Sequence, residues 1–171
     1  SLFEISPSKQ LVVKSGAKID YETLVSPSVT VQATDTDGFS YQKAITLSVK
    51  DVNEKPEDIF LSSTRLDENS VSAIVGTLSV TDPDRNDSHS LTLSGVDSSQ
   101  FEIVNNQLKL KSGFSADYET KSSYSVGVTA KDLGGLSRSE EFVVKVTDDV
   151  SEAFIIDDVV NLQQGLYAAQ K

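Results

Sequence analysis

The sequence contains no Cys, no Met and no Trp. Without Cys there can be no disulfide framework, no thiolate metal site and no Cys nucleophile, although metal ions can stabilise an extracellular domain in place of disulfides. Basic residues are also scarce: 15 Lys and Arg face 26 Asp and Glu, for a net charge of −11. Nucleic-acid binding requires Lys and Arg to neutralise phosphates, so we expect no nucleic-acid partner. The absence of Met further predicts that residue 1 is not a natural start.

Long apolar runs and catalytic motifs are missing as well. No run approaches the ~20 apolar residues of a membrane helix, and no signal peptide is recognisable, so we expect no membrane segment in this chain. The only His, His89, lies in a polar stretch and is interpreted as a solvated loop residue instead of a general base. There is no nucleophile elbow, phosphate-binding Gly loop or His-Glu-x-x-His motif. These absences predict a protein that is not an enzyme.

An internal repeat organises the chain. The tetrapeptide Asp20-Tyr21-Glu22-Thr23 returns unchanged as Asp117-Tyr118-Glu119-Thr120. Asp35 and Asp132 are separated by the same 97 residues as Asp20 and Asp117, and so are Asp51 and Asp148. A constant offset over so long a stretch is the signature of a repeat architecture. The chain therefore contains the second half of one repeat followed by one whole repeat.

Within these repeats apolar residues alternate with polar ones, as in Val29, Val31 and Ala33 or Phe142, Val144 and Val146. A period of two predicts half-buried β-strands, and the Gly, Ser, Asn and Asp residues between the runs are turn formers. About seven runs occur near 57–62, 76–81, 89–93, 100–104, 107–111, 123–131 and 140–147. The predicted fold class is all-β, with antiparallel Greek-key β-sandwich repeats in tandem.

The predicted organisation has four parts. Residues 1–51 form the C-terminal half of a repeat with its last four strands, residues 52–56 a linker, residues 57–150 a complete repeat, and residues 151–171 a non-repeat tail. The tail is either a short helix or disordered. Half a sandwich would expose its core face and open edges, so we expect the first part to pack on another surface or to be completed by a partner chain.

The acidic motifs at the ends of these runs resemble those of the cadherin family, over residues 1 to about 150. The segment Asp51-Val52-Asn53-Glu54-Lys55-Pro56 is similar to the family linker Asp-x-Asn-Asp-Asn-x-Pro, with Glu54 in place of Asp and Lys55 in place of Asn. Asp20-Tyr21-Glu22 is similar to the family's Asp-x-Glu before the sixth strand. Asp82-Pro83-Asp84 is similar to its Asp-x-Asp after the second strand.

The resemblance implies Ca²⁺ bound between successive repeats. The implied ligands of this inter-repeat site are Asp20, Glu22, Asp51, Asn53, Glu54, Asp82, Asp84 and Asp132. Weaker or half-sites are implied at Asp35, Glu68, Asp117, Glu119 and Asp148. The missing first strand of the first repeat should least affect binding of the ion whose ligands are Asn53, Asp82, Asp84, Asp132 and the Lys55 carbonyl. Ions that rely on Asp20, Glu22, Asp51 and Glu54 lose one ligand and are expected to bind weakly or not at all.

The chemistry of calcium agrees with this ligand set. Ca²⁺ takes six to eight oxygen ligands in flexible geometry, and carboxylates that converge without a cation repel one another. An EF-hand loop starting at Asp82 is excluded, because its sixth position is Asp87 where Gly is required and its twelfth is Leu93 where Glu is required. The opposing interpretation is that each acid is a solvated turn residue. It explains any single Asp, but it does not explain a set of acids that recurs in the same order in both repeats.

The sequence therefore predicts a calcium-binding extracellular adhesion or spacer module at the cell surface or secreted, in which Ca²⁺ makes the linker rigid. The plain, Cys-free composition favours a bacterial-type multi-repeat surface protein. Expected partners are a protein, through homophilic contact or neighbouring repeats, or a surface polysaccharide. The alternative is a carbohydrate-binding β-sandwich module with structural calcium. Sugar sites commonly use exposed aromatics, for which Phe39 and Tyr41 are the candidates.

Overall fold

The computed structural model describes residues 1–151. The predicted tail, residues 151–171, with its alternatives of a short helix or disorder, lies outside the described residues from position 152 onward. The described chain forms twelve β-strands and one short 3₁₀ helix, Ser98–Gln100. The strands are β1 (Phe3–Ile5), β2 (Leu11–Val13), β3 (Ser28–Thr34), β4 (Ser40–Thr46), β5 (Asp58–Leu61), β6 (Arg65–Asp67), β7 (Ile74–Thr81), β8 (Ser90–Ser94), β9 (Phe101–Val104), β10 (Gln107–Leu110), β11 (Ser123–Lys131) and β12 (Ser137–Thr147).

The chain divides into two compact units. The first unit comprises Ser1–Glu54 and Pro83–Asn86, and the second comprises, among the described residues, Lys55–Asp82 and residues 87–151. Within residues 1–151 no helix is long and apolar enough to cross a membrane.

The second unit is a sandwich of two four-stranded sheets. One sheet has the order β5-β7-β10-β9 and the other the order β6-β12-β11-β8. All pairs are antiparallel except β6 with β12, which run parallel from the pairing of Arg65 with Lys145 onward. The predicted antiparallel sandwich class is confirmed, with this one parallel pair as an addition. Strand β6 was absent from the sequence prediction, because a three-residue strand is too short to display a period of two.

Alternation along the strands builds the core between these sheets. In β11 every second residue from Tyr124 to Ala130 is buried, while the residues between them are half-buried. Side chains of successive strand residues point to opposite faces, so one face of β11 lies wholly in the core. The ring of Tyr124 meets that of Phe101 edge to face, with centroids 5.6 Å apart and planes at 75°. The largest fully buried side chains are those of Pro56, Leu66, Phe101, Leu108, Leu110, Val126, Val128 and Val144.

The first unit consists of two two-stranded antiparallel sheets. Strand β1 pairs with β2, with Phe3 opposite Val13, and β3 pairs with β4, with Ser28 opposite Thr46. None of the residues of the buried hydrophobic core lies in this unit, in which Pro27 is buried. Phe39 and Tyr41 are 77% and 71% exposed. The alternating apolar residues Val29, Val31 and Ile45 are half-buried, so the apolar face of β3 and β4 is only partly covered.

Candidate metal centre

Four carboxylates converge in the first unit. Glu22 lies in the turn after β2, Asp51 and Glu54 in the segment after β4, and Asp84 in the loop between β7 and β8. One oxygen from each lies within 4.8 Å of the others. Glu22 and Asp84 are half-buried, whereas Asp51 and Glu54 are exposed. We call these four residues the acidic cluster.

Local hydrogen bonds hold the acidic cluster in place. The backbone N–H of Glu22 donates to Oδ1 of Asp20 at 2.9 Å, and the N–H of Leu24 donates to the carbonyl of Asp20 at 2.9 Å. Asp20 therefore shapes the turn that presents Glu22, and it is not one of the four whose oxygens converge. The backbone N–H of Glu54 donates to Oδ2 of Asp84 at 2.8 Å, which ties the segment after β4 to the loop that carries Asp84.

The electrostatics of the acidic cluster follow from its crowding. Partial desolvation, followed by the carboxylates of Asp84 and Asp51, raises the pKa of Glu54 above its ordinary value. Desolvation and the nearby Asp20, Glu54 and Asp51 likewise raise the pKa of Glu22. A carboxyl group takes up a proton more readily where other carboxylates surround it. In this cluster a bound cation would offset the mutual repulsion of the carboxylates.

The donor set of the acidic cluster fits a hard cation. All four donors are carboxylate oxygens from flexible Asp and Glu side chains, without His or Cys. Ca²⁺ prefers oxygen ligands in variable number and geometry, whereas Zn²⁺ favours nitrogen and sulfur. Asn53 adjoins the cluster in sequence, and its Nδ2 donates to the carbonyl of Glu54 at 3.0 Å. The residues present therefore fit calcium, and Glu22, Asp51, Glu54 and Asp84 would hold it.

Asp35 and Asp132 occupy matching positions at the tips of two hairpins. Oδ1 of Asp132 accepts from the N–H of Leu136 at 2.8 Å, and Oδ1 of Asp35 accepts from the N–H of Phe39 at 2.9 Å. Asp132 is only 6% exposed. Each of these acids closes its hairpin tip with the same hydrogen bond. The two repeats therefore share this turn at Asp35 and Asp132.

A second carboxylate group lies at the end of the second unit. Oxygens of Glu68, Glu119 and Asp148 lie within 4.8 Å of one another. Glu68 is buried, and its carboxylate accepts from the backbone N–H groups of Tyr118, at 2.9 Å, and Asp149. The backbone N–H of Glu119 lowers the pKa of its own carboxyl, but desolvation and the carboxylates of Glu68 and Asp148 raise it, so the net shift is upward.

Asp117, the remaining acid of that predicted half-site, is a turn residue. Oδ1 of Asp117 accepts from the N–H of Thr120 at 3.0 Å, and its Oδ2 accepts from the Thr120 hydroxyl at 2.7 Å. These bonds hold the pKa of Asp117 below its ordinary value. It parallels Asp20, the equivalent residue of the first repeat, in organising the turn that carries the following Glu.

His89 is not the solvated loop residue that the sequence suggested. Its side chain is only 12% exposed, and Nε2 lies 2.8 Å from Oδ2 of Asp82, whose side chain is 4% exposed. Oxygens of Asp82 and Asp87 and a nitrogen of His89 lie within 4.8 Å of one another. The burial of His89 could not be predicted from its polar neighbours in sequence, because it depends on the loop folding back on the end of β7. Only the placement of Asp82 and His89 at consecutive strand ends hinted at the contact.

The fold and its acidic groups define a class: a β-sandwich repeat protein with carboxylate clusters at the ends of its repeats. A family model described as the cadherin domain matches residues 62–147. The chain belongs to the cadherin family. Cadherin domains are extracellular, non-enzymatic adhesion modules that typically bind Ca²⁺ between repeats.

Solved protocadherin structures share this fold. PcdhgB3 EC1-4 matches with a TM-score of 0.66 and 23% identity, over 86% of this chain and 37% of that chain. Protocadherin gammaB7 EC3-6, described as a cis-dimer, matches with a TM-score of 0.58 and 27% identity over 86% and 37%. Human Protocadherin-24 EC1-2 matches with a TM-score of 0.58 and 23% identity over 86% and 77%. This chain thus spans little more than a third of the first two structures. The comparisons do not support a bacterial-type parent protein.

Proposed function

We propose that this chain is a calcium-binding adhesion and spacer module of a cell-surface or secreted protein. The observation that carries the proposal is the convergence of Glu22, Asp51, Glu54 and Asp84, whose oxygens lie within 4.8 Å of one another. These four come from three separate stretches of the chain, two of them tied by the bond from the Glu54 N–H to Asp84. Membership of the cadherin family supports the same ion.

The proposed mechanism is mechanical. Calcium, when bound, supplies the positive charge that neutralises the carboxylates and draws them to a common centre. Asp51 and Glu54 flank Asn53 in the linker, so holding their carboxylates restricts the backbone of residues 51–56. Without the cation the four carboxylates repel one another, and the linker gains freedom. On the sequence pattern we assign Asp20, Asn53, Asp82 and Asp132 to the same inter-repeat site.

We propose the same domain organisation as the sequence predicted. Residues 1–51 then act as the C-terminal half of a repeat, 52–56 as the calcium-binding linker and 57–150 as a full repeat. At the second group, Glu68, Glu119 and Asp148 would hold an ion more weakly, because the following Asp149-Val150-Ser151 lacks the Asn and Pro of the linker.

For partners we propose protein surfaces. The first unit exposes apolar residues from each of its sheets, among them Ile5, Val13 and Tyr41, and an exposed apolar face of this kind marks an interaction surface. Either neighbouring repeats or a second copy would cover it. Sedimentation over a range of concentrations separates these: association of the isolated chain supports a second copy, and a strict monomer supports neighbouring repeats.

The test of the calcium proposal is calorimetric titration of the EDTA-stripped chain with CaCl₂, with MgCl₂ as the control. Extracellular modules bind calcium with Kd values of about 10⁻⁴–10⁻³ M, and we expect binding in that range. Magnesium should bind more weakly, because it demands a small octahedral site and keeps its waters. If titration with calcium up to ~10 mM, well above that range, produces no heat of binding, the calcium proposal is refuted and the acids are solvated turn residues.

A carbohydrate-binding function is the second candidate. It is favoured by Phe39 and Tyr41, which are 77% and 71% exposed and lie two residues apart at one end of β4. Together with Ala33, Thr34 and Asp35 they line an open cavity of about 380 Å³. Retention of the chain on immobilised polysaccharides, lost in Tyr41→Ala, would support it, whereas no retention of either form would remove it.

A further inference from the structure

The loop between β7 and β8 carries Asp84, a member of the acidic cluster, and its two ends are joined by one side-chain contact. Asp82 directly follows the last residue of β7, and His89 directly precedes the first residue of β8. Nε2 of His89 lies 2.8 Å from Oδ2 of Asp82. The contact therefore closes the base of the loop from which Asp84 reaches the acidic cluster.

The direction of this hydrogen bond follows from the chemistry of its partners. An ionised carboxylate can only accept hydrogen bonds, so Nε2 of His89 carries the hydrogen and donates it. The two side chains are 12% and 4% exposed, so little water competes for the bond. A donor fixed in this way orients the plane of the Asp82 carboxylate and restricts the backbone on both sides of Pro83–Asn86.

We propose that His89 is a positioning residue for calcium binding, acting through Asp82 and the 83–88 loop and not as a ligand itself. The inference rests on the calcium-binding function proposed above. Groups that hold a metal ligand in orientation are an integral part of metal sites. His89 would set the loop so that Asp84, a member of the acidic cluster, keeps the position in which it accepts the N–H of Glu54 at 2.8 Å.

The contact atom suggests three informative variants. His89→Gln carries an amide N–H near the position of Nε2 and should restore the bond. His89→Asn carries the same amide too close to the backbone, near the position of Nδ1, and should not reach Asp82. His89→Leu removes the donor altogether. Lys109→Leu, which breaks the pair between Lys109 and Glu102 on β10 and β9, is the matched control for losing a side-chain contact in the second unit.

The experiment measures calcium affinity by calorimetry and the melting temperature in EDTA and in calcium for all five chains, including the wild type. Loss of such a supporting contact typically weakens metal binding about 10- to 100-fold. We expect His89→Leu and His89→Asn to lie near the lower end of that range, with His89→Gln close to the wild type and Lys109→Leu unchanged.

Each outcome separates the alternatives. Failure of the wild type to bind calcium would refute the proposed function, and the role of His89 with it. Normal binding by the wild type together with equal affinity in His89→Asn would overturn the positioning role alone. A purely structural role would lower the melting temperature equally in EDTA and in calcium without changing the affinity, and it too would overturn the inference. Should His89→Leu fail to fold, the comparison of His89→Gln with His89→Asn still decides.

Discussion

Replacing Asp84 by Asn should lower stability in the presence of calcium but not in its absence. The Asn side chain has nearly the same shape, and its amide oxygen can still accept from the Glu54 N–H, which lies 2.8 Å from Oδ2 of Asp84. The substitution therefore removes one negative charge from the acidic cluster while keeping this hydrogen bond. In EDTA this relieves repulsion on Glu22, Asp51 and Glu54, and the melting temperature should stay level or rise.

In calcium the same substitution should lose most of the gain that the wild type shows. A ligand that binds only the folded state stabilises it by RT ln(1 + [L]/Kd). At ~10 mM calcium and a Kd of about 10⁻⁴–10⁻³ M, the gain is about 1.4–2.7 kcal/mol. For a chain of this length it corresponds to a rise of roughly 3–10 °C in Tm. Removal of one carboxylate from the cluster should cancel most of this rise.

The assay is a thermal melt followed by circular dichroism for the wild type, Asp84→Asn and the control Asp37→Asn. Asp37 is an exposed acid of the first unit outside the acidic cluster, so its loss should leave the calcium response intact. Asp84→Asn should melt at or above the wild-type temperature in EDTA and below the wild-type temperature in calcium. A full calcium response in Asp84→Asn would refute the reasoning. So would a marked loss of stability of that variant in EDTA, since it would mean that the carboxylate stabilises the fold without a cation.

The other predictions concern the second unit. Leu108 is fully buried, so Leu108→Ala should lower the free energy of unfolding by about 2–5 kcal/mol in urea denaturation; Val96→Ala, at a position 86% exposed, should change it by less than about 0.5 kcal/mol. Asp97 accepts from Lys121 and from the N–H of Ser125, and these bonds, the Lys121 contact first, lower its pKa. Asp97→Asn should therefore cost about 1–2 kcal/mol at neutral pH, allowing for screening at the half-exposed Lys121. Because the folded pKa lies below the unfolded value near 3.9, this contribution is complete above that pH and disappears as pH falls through the folded value. An unchanged difference between wild type and Asp97→Asn down to pH ~2 would contradict this origin.

Much of the second unit could be predicted from the sequence because its signals are local. Alternation along residues 123–131 and 140–147 gave strands at those places, and β11 and β12 are found at Ser123–Lys131 and Ser137–Thr147. Strand β6 could not be predicted, because Arg65–Asp67 is too short for a period and owes its conformation to parallel pairing with β12. Pairing with a distant strand produces no recognisable sequence pattern in a strand as short as β6.

The candidate site was predicted in part. The acidic motifs were recognisable from their repeat and spacing, which identified Glu22, Asp51, Glu54 and Asp84 among a larger set. The sequence could not separate acids that converge from acids that shape turns, such as Asp20 and Asp117, because both kinds occupy strand ends and carry the same charge. It also misjudged His89, since the residues adjacent to it are polar and its true neighbour, Asp82, lies across the loop.

By itself the sequence determined the repeat, its period, the sandwich class and the presence of acids at strand ends. Alternation and turn chemistry involve residues that are close together in sequence, so they can be recognised without the structure. Only the tertiary structure decided which carboxylates meet within 4.8 Å, which acid pairs with the single His and which apolar residues of the first unit stay exposed. Each of these depends on where separate stretches of chain come together. That placement is set by packing and backbone pairing over the whole unit.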